Sequence, residues 1–552
     1  MENSKYSGWV LGSIIFVMGG CGIAYEYTFS KVASDLLGNS VQQWAIVIAI
    51  MLFCMGVGAE IQRYISAKKI LPVLLYSQLA LAIVGGFGPF ILLYTFGSYS
   101  HMFGLAHYGI VCLMGVIIGF EIPLISRINE DYSDDIKSNL ARVLKMDYVG
   151  ALAGALIWVF VLPKFFNLHQ IAYILGFISL AATAVCWWFF RTKLPSKTIP
   201  LLGILAVSGL LGLGLAKSNS WAFHAEQKLF QDRIIFAETT PYQHIVVTQS
   251  QFGAMRCYIN GHIQFSSTDE YIYHENLVHP AMSLVKKPKR VLILGGGDGL
   301  AVREVLKYPS VKEIVLVDLD PAMTDLAANH PLFSQLNDQS LRSPKVKLKA
   351  SKGISVGESY PLEIPNQRRI GFESLADSAP SLSIINIDAV TYAKTTSELF
   401  DIIICDFPDP SSPELSKLYS LRFYGEIKKR LAPDGYLVQQ STSPYRAKEA
   451  FLCIGRTMKE AGLTAIPYHD HVPSFGEWGW WIATHHSIQS PEMLKSNLQN
   501  IKQLPEEIRY LTPELILSSL SFGKEVLLTS ENDITTTSNS AVLNHYLNGF
   551  LE

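Results

Sequence analysis

Residues 291–299 read Val291-Leu-Ile-Leu-Gly-Gly-Gly-Asp298-Gly299, an apolar run that ends in a glycine turn. A second apolar run, 400–405, ends in Asp406-Phe-Pro-Asp409-Pro410. In an open parallel sheet, ligands sit outside the carboxyl ends of the strands. Both motifs then face one crevice and bring Asp298, Asp406 and Asp409 towards one ligand. Such a site disfavours an anion and suits a cationic substrate.

Around these motifs, strand and helix patterns alternate, which implies a parallel sheet. The strands expected are 290–294, 313–318, 382–388, 400–405 and 435–440, with helices at 299–307, 321–328, 415–431 and 446–461. Two later runs, 463–471 and 478–484, suit an antiparallel pair that closes the sheet. This is a methyltransferase-like (Rossmann-like) α/β variant of the doubly wound fold. Residues 233–265 alternate apolar and polar positions around Asn260-Gly261, a pair that favours a type I′ hairpin turn. They predict a small antiparallel β unit before the main sheet. Residues 350–381 are rich in Ser, Pro and Gly without a period, and read as a long surface insertion.

The chain has 552 residues, 49% of them hydrophobic, and the apolar excess lies before about residue 217. Seven stretches there are long enough to cross a hydrocarbon core: 8–30, 41–61, 70–96, 102–125, 147–166, 170–190 and 198–216. Each must be helical, because lipid offers backbone amides no partner. The last is short and Gly-rich, so lying along the interface is an alternative to crossing. The small residues of Gly19-Gly-Cys-Gly22 and Gly150-Ala-Leu-Ala-Gly154 let helices approach closely. The chain therefore divides into a multi-span helical membrane domain (1–217), a small β domain (218–275), a methyltransferase-like domain (276–490) and a C-terminal extension (491–552).

Loops after the second, fourth and sixth spans carry Arg63, Lys68 and Lys69; Arg127, Lys137, Arg142 and Lys145; and Arg191, Lys193 and Lys197. The positive-inside tendency puts those loops in the cytoplasm. Seven crossings then leave the C-terminal domain outside; six or eight leave it inside. Glu26, Glu60 and Glu121 lie in or near apolar spans. Intramembrane acids mark functional sites by default. Helix ends near headgroups are the other reading, with Arg63 and Arg127 close by. The segments 56–60 and 119–121 share a weak repeat around a glycine and an acid.

A formal net charge of -2 gives no argument for nucleic acid as a partner. Seven cysteines without a CxxC pair indicate neither a metal site nor a disulfide framework.

The glycine turn alone suits many nucleotide binders. Asp318 ends the next strand, about 20 residues on, where an acid accepts hydrogen bonds from ribose hydroxyls. Asp388 at the end of the third strand suits an adenine amino group. An adenosine-containing ligand follows. Asp298 repels the carboxylate of ordinary S-adenosylmethionine and pairs with the amine of its decarboxylated form. A pyrophosphate fares badly beside it.

The soluble half resembles the spermidine/spermine synthase family, the polyamine aminopropyltransferases. The resemblance rests on Tyr242-Gln243-His-Ile-Val-Val, Gly261-His-Ile-Gln264, Asp269-Glu-Tyr-Ile-Tyr273-His274-Glu275, Gly295-Gly-Gly-Asp298-Gly-Leu-Ala-Val-Arg-Glu304 and Asp406-Phe-Pro-Asp409-Pro. The whole chain is similar to the bacterial branch in which this domain follows a multi-span membrane region. Lys417-Leu-Tyr-Ser420 and Pro473-Ser-Phe-Gly-Glu-Trp-Gly479 fit that branch too. The resemblance implies aminopropyl transfer from decarboxylated S-adenosylmethionine to a polyamine such as putrescine, releasing 5′-methylthioadenosine, with no tightly bound cofactor and no metal. It implies Asp409 as the proton acceptor. Gln243, Gln264, Tyr273, His274, Asp298 and Asp406 would contact the substrate. Gly295, Gly297, Asp318, Asp388 and Ala389 would hold the cosubstrate.

Four departures bear on the acceptor amine and the rate more than on the reaction type, one of them the insertion at 350–381, which could cover or reshape the cleft. Asp318 stands where Glu is usual, Ala389 where Gly is common, and Ser411-Ser412 in place of a Gly-containing turn. A methyltransferase on the same fold and a membrane polyamine sensor or transporter are the competing readings. A lipid bilayer is an expected partner, a homo-oligomer stays open, and the expected place is the cell (inner) membrane with the catalytic domain in the cytoplasm, where the donor is made.

Overall fold

In the computed structural model, which describes residues 2–37, 40–130, 136–342, 347–348 and 380–549, the apolar run at 291–294 is a strand with every residue buried. Alternate residues of the run feed two cores, Val291 and Ile293 on one face and Leu292 and Leu294 on the other. That is why the run is continuously apolar rather than alternating.

The chain forms two compact units, residues 1–233 and 234–552. The second unit opens with a four-stranded sheet, β1 Arg233–Thr239, β2 His244–Gln249, β3 Met255–Ile259 and β4 His262–Ser266, in that order. Asn260 (φ 50°) and Gly261 (φ 82°) make the β3–β4 turn, the two positive φ values a type I′ turn requires.

The main sheet holds β5 Arg290–Gly295, β6 Glu313–Asp318, β7 Lys347–Leu348, β8 Ser381–Asn386, β9 Phe400–Asp406, β10 Leu431–Gln440, β11 Leu463–Val472 and β12 Gly476–His485. Their order is β11-β12-β10-β9-β5-β6-β8-β7. β10 through β7 run parallel, and β12 joins β10 and β11 antiparallel. From β5 the chain winds outwards through β6 to β8 and then returns to β9 on the other side. The crevice therefore opens between the carboxyl ends of β5 and β9.

Two local expectations change. The helix expected over 415–431 is broken into a turn at Pro413–Ser416, a 3₁₀ turn at Lys417–Tyr419 and a helix at Leu421–Arg430. Ser420 breaks it: its backbone is extended, and its hydroxyl accepts from Phe423 N at 3.3 Å as an N-cap. Asp388 is not a strand end. β8 stops at Asn386, and Asp388 caps the helix Ala389–Thr395 by accepting from Thr391 N at 2.8 Å. Most of the segment 350–381 lies outside the described residues; Ser381 already belongs to β8.

Residues beyond 490 pack on the same sheet. Leu494, Leu498, Leu511 and Ile516 join the core on one face, and Ala541, Val542 and Tyr546 that on the other.

The first unit is helical, and among its described residues seven helices are long and apolar enough to cross a membrane. The seventh, Thr198–Glu226, runs past 216 and packs against Ile70–Ser98 and Leu168–Phe190, so it is a member of the bundle rather than a short outlying run. The glycine motifs meet one another: a side chain on Gly20 or Gly154 would run into the backbone of the other's helix. The repeat-like segments lie on helices that pack together, but each glycine meets residues outside the other segment, Gly58 against Val116 and Gly119 against Met55. Among the acids, Glu60 is exposed and pairs with Arg63, the helix-end reading. Glu121 is buried and accepts from Gln78 Nε2 at 2.7 Å, while Arg127 donates to Gln62 and Ile65 instead. Glu26 is buried as well.

Candidate active site

The glycine turn is shaped by its neighbours. Gly295 pairs with Asp406 across β5 and β9, at φ 81°, and a side chain there would strike the Asp406 carbonyl. Gly297 N donates to Asp318 Oδ2 and Asp320 N to Asp318 Oδ1, both at 2.9 Å. The Asp318 carboxylate is thus tied to the turn. Burial pushes it up to about 6, against those two donors. Asp298 Oδ1 accepts from Leu300 N at 2.9 Å, and Asn337 Nδ2 donates to the Asp298 carbonyl at 2.9 Å.

Polar atoms of Asp298, Asp406 and His274 lie within 4.8 Å of one another. His274 comes from the helix Glu270–Leu284, whose first residue, Glu270, receives its Nδ1 at 3.0 Å. Burial opposes a charge on His274, but Glu270, Asp298 and Asp406 outweigh it and raise the imidazole to about 9. Burial raises Asp298 to about 6, with His274 pulling it down and Asp406 adding to the rise. Asp406 is also raised, by burial, against His274 and the Tyr273 hydroxyl, which donates to its Oδ1 at 2.7 Å. This trio offers a metal one nitrogen and two oxygens, but a protonated His274 supplies the positive charge itself. The other such cluster among the described residues is Cys453, Asp533 and His545, where Arg456 already holds Asp533 at 2.8 Å.

Asp409 follows in the loop after β9. Gln440 Nε2 donates to its Oδ1 at 3.2 Å and Thr442 Oγ1 to its Oδ2 at 3.4 Å. Gln440 also donates to the Phe407 carbonyl at 2.6 Å and lies 2.9 Å from the Tyr419 hydroxyl, so the loop is fixed from β10. Burial pushes Asp409 up to about 6, against Gln440, Tyr546 and Thr442. A carboxylate with that value is mostly ionised at pH 7, and a base poised near the working pH is the efficient kind.

The remaining candidate residues bond to close neighbours in the chain rather than to the three acids. Gln243 and Gln264 belong to the small β unit; Gln243 N donates to Thr240 Oγ1, and Gln264 Nε2 turns to the His262 carbonyl at 3.1 Å. Asp388 is exposed beyond β8, with Ala389 buried behind it.

Sequence reasoning missed the frame behind the acids. Arg303 donates to both oxygens of Glu270, at 2.8 and 2.9 Å, and to Glu304 at 2.8 Å. His279 and Lys307 complete Glu304 at 2.9 and 2.6 Å. Burial opposes the Glu270 charge, yet His274 and Arg303 hold its carboxyl below the usual range. It missed Gln440, Thr442 and Tyr546 too. The polar run Gln439-Gln440-Ser-Thr442 closing a strand was the signal available for the first two.

Residues 270–362 and 370–494 match the model of the spermine/spermidine synthase domain. The chain is 34% identical to a polyamine aminopropyltransferase of Leptospira interrogans over 96% of its length and 97% of the relative's. It is 37% identical to polyamine aminopropyltransferase 2 of Ralstonia nicotianae, over 85% of this chain and 86% of that one. Among solved structures, it is similar to a spermidine synthase in complex with the transition state analogue AdoDATO, at 22% identity and a TM-score of 0.41, covering 53% of this chain and 88% of the other. With relatives above 30% identity matched over nearly their whole length, the chain belongs to the spermine/spermidine synthase family.

Proposed function

We propose that this chain is a polyamine aminopropyltransferase that moves the aminopropyl group of decarboxylated S-adenosylmethionine to an amine such as putrescine. The observation that carries the reading is the acidic crevice at the β5/β9 switch point, with Asp298 and Asp406 beside His274 and Asp409 held apart as a base. The names of the relatives support the same reaction.

The amine nitrogen attacks the carbon bonded to the sulfonium. The new N–C bond forms as the C–S bond breaks, and the electron pair stays on sulfur as neutral 5′-methylthioadenosine. The extra proton on nitrogen passes to the Asp409 carboxylate. The sulfonium is already a good leaving group, so the nucleophile is the difficulty. An alkylamine with a Lys-like pKa near ~10.4 meets a penalty of ~4.6 kcal/mol to be free base at pH 7. A carboxylate in line with the nitrogen orients it and takes its proton. Alignment adds several kcal/mol of the ~7–11 that ideal orientation offers. Asp298 and Asp406 bind the amine and aminopropyl ends, Tyr273 orients Asp406, and Asp318, Gly295 and Gly297 hold the nucleoside. Gln243 and Gln264 reach the cleft from the small β unit, and Asp388 and Ala389 serve the adenine side. Purified chain given the decarboxylated donor and a panel of amines should release 5′-methylthioadenosine in step with aminopropylated product; nucleoside release without amine product defeats the reading.

The first unit is read as a multi-span bundle in the cell (inner) membrane. Trp9, Phe53, Leu105 and Phe165 point outwards, each more than 70% exposed, as a lipid-facing surface requires. The catalytic unit is placed on the cytoplasmic side. With seven crossings the loop charges favour the opposite side, but an external site would lack its donor.

A further inference from the structure

The Asp409 carboxylate accepts from three side chains that come from two separate parts of the chain. Gln440 and Thr442 come from the end of β10 and just beyond it. The third donor is the Tyr546 hydroxyl, on the helix Ala541–Gly549 close to the C-terminus. That helix is firmly anchored. Ala541, Val542 and Tyr546 share a core with Phe407, Tyr419 and Phe451. The segment before it is tied to the stretch that follows Asp409: Leu421 N donates to the Thr535 carbonyl at 2.8 Å, and Ser416 Oγ donates to Ser540 Oγ at 3.2 Å. It is tied equally to the helix Lys448–Glu460. Thr535 N donates to Thr457 Oγ1 at 3.0 Å, and Asp533 bridges Arg456 and His545 at 2.8 and 2.7 Å.

An ionised carboxylate has roughly four acceptor directions. Three donors from fixed elements set its plane and leave about one direction open for the N–H of an attacking amine. We propose that Tyr546 is a positioning residue for the aminopropyl transfer, locking Asp409 in the orientation that receives the amine proton. The C-terminal helix is then part of the active site. A donated hydroxyl also favours the ionised carboxylate, so its loss raises Asp409 further and weakens it as a base at low pH. The inference rests on Asp409 being the base.

The test is Tyr546→Phe in the full chain, with kcat followed across pH, KM for both substrates, and the melting temperature. The expected result is a fall in kcat of about tenfold, equivalent to about 1.4 kcal/mol. The acid limb should move to higher pH while KM for the decarboxylated donor stays within about twofold. Tyr546→Gln, which keeps a donor, should recover part of kcat. Val542→Ala, which thins the packing of the same helix, should lower the melting temperature and leave the acid limb in place. The inference fails if Tyr546→Phe keeps both the wild-type kcat and the wild-type limb, or if Val542→Ala moves the limb as far. Asp409→Asn separates the two levels. Wild-type turnover there removes the base and this inference together. An inactive Asp409→Asn beside a wild-type-like Tyr546→Phe removes the Tyr546 role alone.

Discussion

Asp409→Asn changes charge and basicity with little change of shape. Asn keeps one carbonyl-like oxygen for a donor from β10, so the loop fixed by Gln440 through the Phe407 carbonyl and Tyr419 stays in place. What is lost is the proton acceptor. General-base groups contribute about 10²–10⁴-fold, so kcat should fall at least a hundredfold. The pH profile carries the sharper number. Burial holds Asp409 up at about 6. The ionised fraction is then about nine-tenths at pH 7 and about one-tenth at pH 5, by the ordinary titration relation. Wild-type kcat should therefore fall about ninefold between those pH values as the carboxylate takes up its proton, with the loss running downwards in pH. The residual rate of Asp409→Asn should lack that limb. Stopped assays of nucleoside release at saturating donor and amine measure both. A variant within threefold of wild type, or one that keeps the limb near 6, would refute the assignment of the base.

Asp298→Asn removes the charge that disfavours a carboxylated donor, so the kcat/KM ratio of decarboxylated to intact donor should fall at least tenfold; an unchanged ratio sinks that role. Arg303→Met strands Glu270 and Glu304 as buried carboxylates without their guanidinium, and breaking such a pair costs about 3–5 kcal/mol. Denaturant unfolding should show that loss, and a change below about 1 kcal/mol counts against the frame. A reporter fused to the C-terminus should read out as cytoplasmic; a periplasmic signal would place the catalytic unit away from its donor.

The legible parts of the fold were those written in neighbouring residues. The buried run 291–294 and its glycines, the Asn260-Gly261 turn and the alternating strands and helices each follow from local φ or periodicity. The crevice was legible because topology alone brings the ends of β5 and β9 side by side. Asp388 misled because Ile385 and Ile387 extend the apolar pattern past Asn386, although the chain already turns to start a helix that Asp388 caps. The broken helix near 420 was hidden for the opposite reason: one serine hydroxyl decides it. Glu270–Arg303 and Asp409–Tyr546 had no local signature, since each joins residues far apart in sequence through packing on the sheet.

One measurement bears most directly on the account: putrescine offered both intact and decarboxylated S-adenosylmethionine in the same tube, with the amine product read by mass. The account predicts aminopropylated amine drawn from the decarboxylated donor and no methylated amine. Methylated putrescine formed from the intact donor would contradict it.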